Sequence, residues 1–368
     1  MDDRLKEECG IFGVYNHPEA SALVALGLHA LQHRGQEACG INSFDGKNFY
    51  LIKRRGLVGD NFTDPKIIEQ LKGHTAIGHN RYSTTGAPLI RNIQPFFADL
   101  HTGGLGIAHN GNLTNAISIR EKMVKDGAIF QTTSDTETLV QLIARSKRVK
   151  TIDKIIDAVF QVHGGYALTI MTNKKLVGVR DPYGIRPLIL GKLKDSYILS
   201  SETCALDIIG AEFVREIENG EMVVIDKNGI ESIKPFPKVK SRPCVFEYVY
   251  FSRPDSIVGG KAVHEYRKRL GEQLSKEMKI DADIVSAVPD SGVPAAIGYS
   301  NESGIPYDMG IIRNHYVGRT FIEPTQQIRQ LGVKLKHNPN KEIIKNKKLI
   351  LVDDSIVRGT TSKKIVDM

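Results

Sequence analysis

The apolar positions of the chain change period along its length. Ala20 to Gln32 (ASALVALGLHALQ) carries apolar residues at helical spacing and predicts an amphipathic helix. The stretch before it, CGIFGVYN from Cys9 to Asn16, is small and apolar, as in a buried strand. Ser134-Asp135-Thr136-Glu137 has the form of a capping box and precedes apolar Leu139, Val140, Leu142 and Ile143, so a helix should begin there. Between about 165 and 235, short apolar runs alternate with turn residues (YALTIMT, KLVGVRDPYGIRPLILG, SYILSSE, EMVVID), which predicts antiparallel strands. A strand-rich segment bracketed by helices indicates a layered α+β domain. Further on, Leu349, Ile350, Leu351 and Val352 read as another buried strand. It is followed by adjacent carboxylates, Asp353 and Asp354, and by Gly359-Thr360-Thr361-Ser362 leading into a helix start. Strand, acidic pair, small loop and helix is the layout expected at the carboxyl edge of a parallel sheet. Backbone N–H groups there suit a phosphate, and carboxylates suit ribose hydroxyls or Mg²⁺.

Length and charge sharpen this picture. A chain of 368 residues suggests two domains, and 41% apolar with 25% charged residues is a globular composition. No apolar run approaches a membrane span, and MDDRLKEE at the N-terminus lacks the apolar core of a signal peptide, so a cytoplasmic location is expected. The net charge of +8 is localised: Arg313 to Lys364 holds twelve Lys or Arg against four Asp or Glu. A basic segment beside a Gly-Thr-Thr loop suits a polyphosphate. Nucleic acid is not expected, because no stacking pattern or DNA-reading motif accompanies the charge. Cys9, Cys39, Cys204 and Cys244 are far apart and contain no CxxC pair, so no disulfide framework is expected.

Two resemblances add to this reading. LILVDDSIVRGTTS (349–362) resembles the phosphoribosyl-pyrophosphate (PRPP) motif of type I phosphoribosyltransferases. The strings CGIFG, LQHRGQEACGI, IGHNRYSTTG (77–86) and IAHNGNLTN (107–115) resemble class II glutamine amidotransferases, which have the N-terminal-nucleophile hydrolase fold. Together they imply an α+β amidotransferase domain over 9–235, a linker over 236–245 and an α/β phosphoribosyltransferase domain with a parallel sheet over 246–368. Members of these families continue with further strands, so the second domain is expected to be truncated at its C-terminus. The implied reaction is glutamine hydrolysis, with the ammonia displacing pyrophosphate at C1 of PRPP in purine synthesis. A glutaminase with an incomplete PRPP half and a non-enzymatic PRPP sensor are the alternatives. A sensor needs neither a near-terminal nucleophile nor a glutamine clamp.

The resemblance also assigns roles. Cys9 is the nucleophile, exposed as a new N-terminus when residues 1–8 are removed as a propeptide. A terminal α-amine has a pKa of about 7.7–8.0 and can take the thiol proton. Asn110 and Gly111 are the oxyanion donors. Arg81 clamps the glutamine carboxylate, Asp135 the ammonium, and Thr84 adds a hydroxyl contact. His33, Arg34 and Gln36 are expected to be structural. For PRPP, Asp353 and Asp354 bind ribose hydroxyls or Mg²⁺, while Ser355, Arg358, Gly359, Thr360 and Thr361 wrap the 5′-phosphate. Ser291 is a further Mg²⁺-site position. Arg313 to about Lys336 is a closing loop with Gly318 as hinge. Cys244 matches the first ligand of a [4Fe–4S] cluster found in some members, whose other ligands lie beyond 368. Purine nucleotides as feedback inhibitors and a homo-oligomer complete the implied partners.

Overall fold

A computed structural model describes residues 9–82, 89–314, 337–356 and 359–368. The chain forms two compact units, the first ending at Cys244 and the second beginning at Val245.

The first unit has four layers. One antiparallel sheet contains β1 (Gly10–Tyr15), β2 (Ala38–Phe44), β3 (Phe49–Arg55), β4 (Thr75–Arg81), then β9 (Ile189–Leu193), β10 (Ser196–Ser200) and β11 (Glu212–Glu216), in the order β11-β9-β10-β1-β4-β2-β3. The other contains β5 (Phe96–Leu100), β6 (Gly103–Leu113), β7 (Gly164–Thr172), β8 (Leu176–Arg180), β12 (Met222–Asp226) and β13 (Gly229–Ile233), in the order β13-β12-β8-β7-β6-β5. Alternation along each strand decides what faces what. Phe12 and Ala76 point outward to helix α1 (Ala20–Ala30), in a core with Val24 and Leu28. Ile11 and Ile77 point inward and meet Ala108 and Ala167 of the other sheet. Ile107 and Leu168 point to the second outer layer, built from α2 (Ala116–Lys125), α3 (Thr136–Arg145) and α4 (Thr151–Val159).

The predicted strands form over 165–235, with β11 and β13 in addition. The helix predicted over 20–32 ends at Ala30, and residues 32–34 form a 3₁₀ turn. The capping box is not made. Thr136 is the first helical residue and Asp135 the cap, whose side chain makes no capping bond; Ser134 Oγ accepts from the Thr136 N–H at 3.3 Å. Glu137 turns back instead and accepts hydrogen bonds from the N–H groups of Gln131 and Thr132 at 2.7 Å each. The loop's buried donors outcompete the helix end for this carboxylate.

Helix α5 (Cys204–Ile209) belongs to the first unit. In the second unit the short strands β14 (Ile257–Val258) and β15 (Lys261–Ala262) pair with each other, β17 (Ile311–Arg313) pairs with β18 (His337–Pro339), and β16 (Ile284–Ala287) and β19 (Leu349–Val352) pair in parallel. Helices α6 (Val263–Glu277) and α7 (Val293–Ser303) cross at two glycines. A Cβ on Gly271 would lie 1.8 Å from the carbonyl oxygen of Ala295, and one on Gly298 would lie 1.9 Å from that of Lys268. Helix α8 (Thr360–Asp367) follows the loop after β19.

Candidate active site

Cys9 lies one residue before β1. Gly10 pairs with Asn80, so Cys9 sits beside the end of β4 at Arg81. Its thiol is half-buried and points to the carbonyl oxygen of Tyr82 at 3.8 Å. Arg81 is 6% exposed. Burial lowers the pKa of its guanidinium, and the charges of Cys9 and Glu37 oppose that shift. By contrast, burial pushes the Cys39 thiol up to about 12, which makes it an inert packing group.

The facing end of β6 carries Asn110 and Gly111. A Cβ on Gly106 would touch Ile77, and His79 reaches the carbonyl of His109. Two residues further along β4, Arg81 and its neighbour Cys9 therefore lie over the Asn110–Gly111 end of β6. Asn110 is fully buried, and neither atom of its amide has a hydrogen-bond partner among the described residues. Such a group is costly unless something else pairs with it. Gly111 has φ +140°, and a Cβ there would lie 2.1 Å from the carbonyl oxygen of Gly165. Only glycine fits.

Asp135 Oδ2 accepts a hydrogen bond from the Leu113 N–H at 3.0 Å, tying the start of α3 to the end of β6. Thr84 lies outside the described residues. Arg34 is fully buried and ion-paired to Glu202, which also meets His33 Nε2 at 2.7 Å. Sequence reasoning placed Arg34 in the framework but missed Glu202, 168 residues away. It also missed Gln94 and His79, which hydrogen-bond the backbone N–H and carbonyl of His109.

In the second unit, Asp353 and Asp354 sit where β19 ends. Ser291, just before α7, donates to Asp354 Oδ1 at 2.6 Å, and Ser355 donates to Asp354 Oδ2 at 2.8 Å. The N–H of Asp354 meets Asp353 Oδ1 at 2.9 Å. Burial, together with the hydrogen bond and charge of Asp354, pushes the Asp353 carboxyl up to about 7. Ser291, Asp353 and Asp354 line a cavity of about 290 Å³ with Arg267, Leu274 and Ala295. Gly292 keeps Ser291 close to the acidic pair, since a Cβ there would lie 2.6 Å from the carbonyl oxygen of Val352. Gly359 caps α8 with φ +69°, and Thr360 and Thr361 open that helix.

Arg358, the propeptide segment 1–8 and loop positions 315–336, Gly318 included, lie outside the described residues. Arg313 itself ends β17 (Ile311–Arg313) and is ion-paired to Asp290.

Two adjacent carboxylates with a serine hydroxyl beside them are hard oxygen donors that suit Mg²⁺ as a partial ligand set completed by substrate. Among the described residues, no three His, Cys, Asp or Glu group as metal ligands. Cys39 and Cys204 are packed in the core under α1, away from the half-buried Cys244 at the end of the first unit. The cysteines present do not fit an iron–sulfur cluster. No helix among the described residues is long and apolar enough to cross a membrane.

A family model described as a glutamine amidotransferase domain matches residues 79–207. The amidophosphoribosyltransferase of Rhizobium etli is 58% identical over the whole chain, which covers 75% of that protein. A solved structure titled as the allosteric regulatory enzyme of purine biosynthesis has a TM-score of 0.93 at 44% identity, over 98% of this chain and 77% of that one. The glutamine PRPP amidotransferase of Bacillus subtilis, complexed with ADP and GMP, gives 0.92 at 44%, over 98% and 78%. The chain thus spans about three quarters of the length of these relatives. With a layered amidotransferase unit followed by a parallel-sheet unit bearing the acidic pair, the chain belongs to the amidophosphoribosyltransferase family, enzymes of the first step of purine biosynthesis.

Proposed function

We propose that this chain hydrolyses glutamine at Cys9 and delivers the ammonia to C1 of PRPP. The observation that carries the first half is the buried, unpartnered amide of Asn110 opposite the Cys9–Arg81 end. The Cys9 thiolate attacks the glutamine side-chain carbonyl carbon. The oxygen takes up charge and is held by the Asn110 amide and the Gly111 N–H. Collapse breaks the C–N bond and releases ammonia, leaving a thioester on Cys9. Water then cleaves it to glutamate and restores the thiol. Removal of residues 1–8 supplies the α-amine that accepts the thiol proton and returns it to the leaving nitrogen. Arg81 and Asp135 hold the two charged ends of glutamine, with Thr84 beside them.

In the second half, Asp353 and Asp354 hold the ribose hydroxyls. Ser355, Arg358, Gly359, Thr360 and Thr361 surround the 5′-phosphate, and the opening of α8 favours that charge. Ammonia forms the new bond to C1 as the bond to pyrophosphate breaks, so the protein positions reactants and needs no covalent intermediate. Asp353, Asp354 and Ser291 would hold Mg²⁺, which would supply positive charge for the pyrophosphate leaving group. Purine nucleotides, such as the ADP and GMP of the Bacillus complex, are the natural candidates for feedback ligands.

The test follows glutamate and pyrophosphate together, with and without PRPP and Mg²⁺, on protein of measured N-terminal mass. Matched production of both is expected. Pyrophosphate without glutamate, or activity in protein that still begins at Met1, overturns the corresponding part.

A further inference from the structure

The inference concerns what aims Asn110, and it rests on the glutaminase reading above. An amide with no hydrogen-bond partner cannot fix its own direction, so the backbone from which it hangs must do so. That backbone is half supported. β5 pairs with β6 only from Gly103 to Ile107, opposite Leu100 to Phe96. Beyond Ile107, β6 keeps β7 on one side and pairs with no strand on the other among the described residues.

In an antiparallel ladder the N–H and C=O of one residue point the same way. The N–H of His109 goes to Gln94 Oε1 at 2.8 Å, so its carbonyl also points away from β7. That carbonyl meets His79 Nε2 at 3.1 Å. Two side chains, from the loop before β5 and from the opposite sheet, therefore do what a neighbouring strand would do. The carbonyl of His109 belongs to the peptide that leads into Asn110.

We propose that His79 is a positioning residue for glutamine hydrolysis: its Nε2–H, with Gln94, sets the peptide plane from which the Asn110 amide is aimed. A carbonyl can only accept, so His79 is the tautomer with the proton on Nε2. Nδ1 has no partner among the described residues, and the ring is fully buried. It is held neutral by burial, with the nearby Arg81 charge acting the same way. Gln94 is held in turn by close approach to β2, since a Cβ on Gly40 would lie 2.3 Å from its carbonyl oxygen.

The experiment measures steady-state glutaminase kinetics of full-chain His79→Leu, His79→Gln, Asn110→Ala and the His79→Leu/Asn110→Ala double variant, with Cys9→Ala as the blank. Removing an oxyanion donor outright costs on the order of 10²–10³ in kcat, so misaiming it should cost about 10- to 100-fold. His79→Leu is expected to lose that in kcat, with KM for glutamine within about threefold. His79→Gln restores a donor near the Nε2 position and should recover most of the rate. The double variant should be no slower than Asn110→Ala alone, because the loss travels through the same amide. Full kcat in His79→Leu, or additive losses in the double variant, overturns the positioning role while the nucleophile and oxyanion assignment stands. Should His79→Leu not fold, Gln94→Leu tests the same peptide, with the same outcomes. Full activity in Asn110→Ala overturns both readings together.

Discussion

Gly111 leaves no room for even one methyl group. Its φ of +140° and the 2.1 Å approach to the Gly165 oxygen mean that Gly111→Ala must strain the backbone and push β6 from β7. The backbone strain alone is about 1–3 kcal/mol. Glutaminase kcat should fall by on the order of 10² or more as the donors leave their alignment. Parallel measurement of thermal unfolding separates this from loss of fold. For Cys9, the expectation is a split phenotype. Cys9→Ala should lose glutamine-dependent product by at least about 10³-fold yet still form phosphoribosylamine from added ammonia. Equal loss with both nitrogen sources would count against Cys9 as the nucleophile of the glutamine half alone. At this scale the sequence was legible where a motif carried chemistry. It was silent on Glu202, Gln94 and His79, because a buried partner is chosen by the fold, not by spacing. Nothing near Arg34 along the chain announces a carboxylate 168 residues later.

Elements were legible to the extent that periodicity is local. The 3.6 period of α1 and the short apolar runs of β7 to β10 and of β12 could be read directly, because each buries one face or two against a layer. The cap of α3 could not, since Glu137 had two competing sets of donors and only the tertiary structure decides between them. The crossing of α6 and α7 was equally hidden. Gly271 and Gly298 look like weak points in helical patterns, but they let two backbones touch. Gly271→Ala should therefore destabilise the second unit although alanine favours helices. Overpacking of this kind costs about 1–3 kcal/mol, and a lowered unfolding transition of that unit would be the readout. A raised one would mean that the helices can separate without penalty.

For the molecule as a whole, His79 and the acidic pair each tie stability to solution conditions. His79 keeps its neutral form in the fold down to about pH 3, against an ordinary value of 6.5. Between those values the unfolded chain takes up a proton that the folded one refuses. Stability should fall as pH drops from about 6.5 toward 3, and His79→Gln should flatten that part of the acid-unfolding curve. The acidic pair acts in the other unit. Asp353→Asn removes one of two crowded carboxylates and should raise the unfolding midpoint by a few degrees, on the order of 4 °C per kcal/mol in a unit of this size. It should also abolish PRPP amination. Added Mg²⁺ should stabilise the parent and leave the variant unmoved. A variant that still gains from Mg²⁺ would place the cation elsewhere.

Between the side chains that join the two sheets of the first unit, some facing positions are glycines with no room to grow. A Cβ on Gly13 would lie 2.7 Å from Thr169 Cγ2, and one on Gly106 would lie 2.7 Å from Asn42 Nδ2. In a saturation mutational scan the tolerance map should therefore invert the usual expectation. Helix-layer positions such as Ile117 and Val124, large, apolar and exposed, should accept most residues. The interlayer glycines should reject even alanine, so the smallest residues would be the slowest to drift.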